Sequence, residues 1–156
     1  MNTTKKKAGV AGLIYLAVII TGLFSLAYVP NKLIDWNNSS ITFNNIKNAQ
    51  SFFRIGIYSS VLCYLFFSFL PLALYNLLKT VNETQARTMV LLALLSVPLS
   101  FNNLQHSYTA LLLTGNDQMI KGTEVDALAT KLMFSLHQYN EGILLITVFW
   151  GLWLFP

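Results

Sequence analysis

Charge is scarce in this chain. Only 10% of its 156 residues are Asp, Glu, Lys or Arg, against about 25% in an ordinary soluble domain. A soluble domain of this length needs far more polar surface to cover its core, so the composition excludes almost any water-soluble globule. It also excludes a disordered chain, since 54% of the residues are hydrophobic. There is one cysteine, Cys63, so no disulfide scaffold exists; buried mid-span, it reads as a small hydrophobe. The net charge of +4 is too small for a nucleic-acid-binding arm. No CxxCH, HExxH, GxSxG or phosphate loop is present, so no motif-level signature of an enzyme is found.

What the chain does have is long apolar runs. Residues 9–29, 55–78, 89–114 and 132–155 are each long enough to cross a bilayer, which takes about 20 predominantly apolar residues. They contain 95 of the 156 residues but only one charged side chain, Glu141. Burying a charge in hydrocarbon costs about 2.5–3.5 kcal/mol on insertion scales, so this exclusion is the mark of a lipid solvent. A soluble helical bundle would instead place charges every three or four residues along its outer faces. Lipid offers no partner to an unpaired backbone group, so the spans are predicted as helices. The run Leu62–Leu70 lacks the alternation of a barrel strand. The expected fold is an all-α polytopic transmembrane bundle, a single membrane domain with four membrane-spanning helices and the lipid bilayer as its partner.

Lys5-Lys6-Lys7 before an apolar run has the shape of a signal peptide, with Ser25-Leu26-Ala27 at a cleavage spacing. The apolar stretch is longer than the 7–15 residues of a typical signal core, which favours a retained helix. Residues 30–54 read as the longest loop, rich in Asn, with a turn around Asn37-Asn38-Ser39-Ser40. Asp35-Trp36 and Phe52-Phe53 read as interfacial anchors, and Ile41–Phe53 as a short amphipathic helix with Ile46, Ala49, Phe52 and Phe53 on one side. Pro71 should kink the second span unless a neighbour satisfies the freed carbonyl. Residues 79–88 form a polar turn. Gly115-Asn116-Asp117 ends the third helix, and Lys121, Glu124, Asp126 and Lys131 make a charged stretch. The positive-inside count ties at five on each side. The cluster at Lys5–Lys7 abuts the first helix, which usually dominates, so the N-terminus is expected in the cytoplasm, with the chain in the cell membrane. The closing Trp150-Gly151-Leu152-Trp153-Leu154-Phe155-Pro156 has no polar flank, and the expectation is a chain whose remainder adds helices.

The intramembrane polar residues are the candidates for function. In the third span, Gln105, Thr109, Asn102 and His106 fall on one arc at 100° per residue. Asn103, Ser96, Ser107 and Ser100 widen that arc to roughly 220°. In the fourth, His137 and Glu141 are four apart and stack on one face, with Gln138 and Asn140 beside them. Helical rise from their shared loop places His106 about 12 Å and His137 about 8 Å into the membrane. Three readings follow. The favoured one is that His, Asn, Gln and Ser hydrogen-bond across the bundle as glue, at about 0.6 kcal/mol each, with Glu141 protonated or paired with His137 or His106. The second is a small-molecule or lipid carrier with a polar cavity at His137 and Glu141, where those two relay a proton. The third is haem ligation by His106 and His137 as axial imidazoles. The residues singled out are His106, His137 and Glu141, then Asn102 and Asn103. No metal, catalytic residue or nucleic-acid partner is expected.

Three strings carry a family resemblance: Leu72-Ala73-Leu74-Tyr75-Asn76-Leu77-Leu78-Lys79-Thr80-Val81-Asn82, the early Ala11-Gly12-Leu13-Ile14-Tyr15-Leu16, and His137 and Tyr139 followed by Phe149-Trp150-Gly151-Leu152-Trp153. They resemble the bacterial domain-of-unknown-function 4386 family. The resemblance runs over all four predicted helices and implies a multi-pass membrane protein whose chain continues past Pro156 into a basic loop and further spans. It implies no reaction. Asn140 and Glu141 stand where the family pattern has small or apolar residues.

Overall fold

The computed structural model describes residues 3–115 and 122–155, and every regular element among them is helical. Helix α1 (Thr3–Leu23) passes through a π-helical turn (Phe24–Tyr28) into α2 (Val29–Leu33), so one continuous rod runs from Lys5 to Leu33. A short α3 (Ser39–Asn48) precedes α4 (Gln50–Leu78), α5 (Glu83–Leu113) and α6 (Val125–Leu152). Helix α1 packs on α4, α4 on α5 and α5 on α6, while α3 lies against α6.

Lys5–Leu33, α4 and α5 are long and apolar enough to cross a membrane. Helix α6 has comparable length, 28 residues, but His137-Gln138-Tyr139-Asn140-Glu141 interrupts it, so three helices meet that criterion where the sequence suggested four. The outer surface agrees with a lipid solvent. Leu13, Leu91, Leu95 and Leu145 are between 55% and 72% exposed, a density of outward leucine that water would penalise.

Several expected boundaries move. Pro30 does not end the first helix, because proline is tolerated in a first turn and here opens α2. The loop of residues 30–54 shrinks to 34–38. Asn38 caps α3 by accepting from the Ile41 N–H at 3.0 Å. Thr42 ties the turn shut, its Oγ1 donating to the Asp35 carbonyl at 2.8 Å and accepting from the Asp35 N–H at 2.9 Å. The expected amphipathic helix over Ile41–Phe53 breaks at Ala49, whose backbone leaves the helical region (φ −123°, ψ 37°). Its buried side is therefore Thr42, Phe43 and Ile46, and Phe52 and Phe53 belong to α4. Those two rings pack against the bundle. Phe53 is buried, and Phe52 meets Phe24 and Tyr28 edge-on at 6.0 and 6.1 Å. Trp36 packs on His137 at 5.1 Å. Asn82 caps α5 by accepting from the Gln85 N–H at 3.1 Å, starting that helix six residues earlier than the apolar run. Helices α4 and α5 continue past Pro71 and Pro98. The expected turn at Asn116-Asp117 and the charge at Lys121 lie outside the described residues.

The core has two parts. Near α3, Val29, Phe43, Ile46, Phe53, Tyr64, Leu104, Leu132 and Leu136 interlock. At the opposite end, Leu70, Met89, Ala93 and Trp153 form a smaller cluster.

Candidate functional site

The polar residues of α5 divide by face. Ser96, Ser100, Asn103 and Ser107 are buried, whereas Asn102, Gln105 and Thr109 are exposed and His106 is half-buried. The wide polar arc is thus two arcs, one turned into the bundle and one turned out. Most inward hydroxyls need nothing from another helix. Ser96 donates to the Ala93 carbonyl at 2.7 Å and Ser100 to that of Ser96 at 2.8 Å, the back-bonding available to a serine inside a helix.

Asn103 makes the crossing. Its amide donates to the Tyr139 carbonyl of α6 at 2.9 Å. The approach requires glycine at position 142, because a Cβ there would overlap the Asn103 amide. Absence of a side chain lets the two backbones close in, as small residues do at membrane helix contacts. Tyr139 also brings its hydroxyl to 3.4 Å from that of Tyr64 on α4. Elsewhere Ser59 donates to the Thr21 carbonyl at 3.0 Å, joining α4 to α1, and the Gln50 amide donates to the Thr114 carbonyl, joining the start of α4 to the end of α5.

The candidates on α6 are placed differently. His137, Gln138, Asn140 and Glu141 are all exposed. Gly142 faces Asn103 on α5, and His137, five residues earlier, lies about 140° round the helix from it. His137 meets Trp36 from the turn before α3, while His106 sits on α5. Among the described residues the two imidazoles make no ring contact or hydrogen bond with each other. Since α6 starts at Val125 and not at Leu132, His137 is about 18 Å along its helix at ~1.5 Å per residue. Among the described residues Glu141 has no ion pair with His137 or His106, and none of His106, His137, Glu141 or Asn102 makes a side-chain hydrogen bond.

The main cavities lie elsewhere. A cleft of about 610 Å³ lined by Val18, Gly22, Phe67, Leu70, Trp150 and Trp153 opens beside α4. A second, of about 430 Å³, is lined by Thr109, Leu113, Thr130 and Phe134, and a third, of about 370 Å³, by Gln50, Arg54, Tyr58 and Tyr108. Among the described residues no group of three or more His, Cys, Asp and Glu is placed to hold a metal ion.

Of the residues that join helices, Asn103 was legible in the sequence. Tyr139, Gly142, Tyr64, Ser59 and Gln50 were not. Gly142 carried a usable signal, being a small residue beside a polar run in a helix that must pack. No curated protein and no solved structure matches the chain. The model of the family described as domain of unknown function (DUF4386) matches residues 10–156, nearly the whole length. With three apolar helices long enough for a bilayer and this match, the chain is a membrane-embedded member of the DUF4386 family.

Proposed function

We propose that the protein is a multi-pass component of the cell membrane whose intramembrane polar residues chiefly hold the helix bundle together. In this reading α6 is a fourth crossing, held beside α5 in spite of its polar centre. The N-terminus is cytoplasmic, following Lys5–Lys7. The observation that carries the reading is the Asn103 bond to the Tyr139 carbonyl over Gly142. In hydrocarbon an unpaired amide has no alternative partner, so a bond from one helix to its neighbour's backbone holds the pair. A proton relay or paired haem ligation requires His137 and Glu141 turned inward, or His106 facing His137. Their outward placement favours the bundle reading over both.

Thermal unfolding of the protein in lipid nanodiscs tests it. Asn103→Ala is expected to lose about 0.6–1.7 kcal/mol, the span measured for helix–helix hydrogen bonds in membranes. His137→Ala is expected to lose less. If Asn103→Ala melts with the wild type while His137→Ala is strongly destabilised, the polar residues have another role.

A further inference from the structure

A small, partly open cavity, about 30 Å³ in volume, lies where the rod from Lys5 to Leu33, α4, α5 and α6 come together. Each contributes one hydroxyl-bearing residue to its wall: Ser25 from the π-helical turn, Ser60 from α4, Ser107 from α5 and Tyr139 from α6. The rest of the lining is apolar, including Val29, Leu104 and Leu136.

The hydrogen-bond inventory of this cavity is incomplete. Ser25 donates to the Thr21 carbonyl at 2.9 Å and Ser60 to the Gly56 carbonyl at 3.3 Å, which leaves lone pairs on both hydroxyls. Ser107 is only 6% exposed, and its hydroxyl makes no hydrogen bond to the described residues, so it is free to face the space. The Tyr139 hydroxyl lies at a long 3.4 Å from that of Tyr64, with the Ser60 hydroxyl also nearby. The backbone is irregular at the same place. In the π-helical turn the Val29 N–H reaches back five residues to the Phe24 carbonyl. Single π turns recur at functional positions in helices, and this one carries Ser25 into the cavity wall.

We propose that the cavity is a binding site for one ordered water molecule that joins the four long helices. The volume exceeds the ~10–15 Å³ that one water needs, and a buried water needs 2–4 polar partners. Here Ser107 and Tyr139 donate to the water, and the water donates to two of the oxygens of Ser25 and Ser60, completing the inventory on all four helices. The site shares Tyr139 with the Asn103 contact but uses its hydroxyl and not its carbonyl, so substitutions at Ser60 and Ser107 test it apart from Asn103.

The test is water-edited solid-state NMR on the full chain in bilayers, with thermal unfolding alongside. Magnetisation transfer from slowly exchanging water to Ser107 and Tyr139 is expected in the wild type. It should be lost in Ser107→Val, whose methyls fill the space, and reduced in Ser60→Ala should the valine variant fail to fold. Ser107→Ala should lower the melting temperature by about 2–4 °C, because it removes a partner of the water. No transfer in the wild type, or transfer that survives in both variants, overturns the proposal. So does a rise in melting temperature for Ser107→Ala, the behaviour of a dry cavity relieved of an unmet donor.

Discussion

Asn102 and Asn103 are neighbours in sequence and opposites in the fold. Asn103 is buried, bridges to the α6 backbone and dictates a glycine opposite itself. Asn102 is exposed beside Gln105 and Thr109. The same division runs along α6, where Tyr139 and Gly142 turn to the bundle and His137 and Glu141 turn away. Residue type therefore says little about role inside a membrane bundle. Which side of the helix a residue occupies decides whether its polarity is answered by a neighbour.

The inward side should be intolerant and the outward side indifferent, and substitutions can break that contrast. The largest effect is expected for Gly142→Ala, because the added Cβ overlaps the Asn103 amide. Overpacking of this kind costs about 1–3 kcal/mol, and displacement of the Asn103 bond adds to it. Combining it with Asn103→Ala should recover part of the loss, so a double-mutant cycle on unfolding in nanodiscs should show strong non-additivity. Additive losses would mean that the two residues do not share the contact. A smaller loss, about 1 kcal/mol, is expected for Gly56→Ala. There a Cβ would come within 2.9 Å of a Val29 methyl; the β-branched side chain is stiff, but the overlap is shallower than the one at Gly142 and displaces no hydrogen bond between helices. The smallest effect is expected for Glu141→Gln. No ion pair or hydrogen bond among the described residues would be lost, so unfolding should show no destabilisation, and any change should be a gain, since a carboxylate turned to lipid is costly. A large loss at Glu141 would place its carboxyl against a partner and erase the contrast.

The all-helical architecture was legible because its cause is local: charge exclusion from apolar runs acts residue by residue. The turn at Asn37–Ser40 was legible for the same reason, since Asn38 needs only its own backbone neighbour at Ile41 to cap α3. Helix ends were read less well. Apolarity marks where lipid begins, whereas Asn82 and Ala49 set where the helices start. The rod running on through Pro30 escaped notice because the residue that usually stops a helix can also open one.

The sequence alone determined the solvent and the secondary structure, since a hydrocarbon environment admits few charges and demands internally bonded backbone. It also placed His137 and Glu141 on one helical face, which follows from helix periodicity. Which way that face turns was decided only by tertiary packing. The approach of α5 to α6 at Asn103 and Gly142 set the rotation of both helices, and with it which polar groups meet one another and which meet the surroundings. Periodicity relates residues on one helix to each other, while rotation about the helix axis is settled only when another helix packs against it.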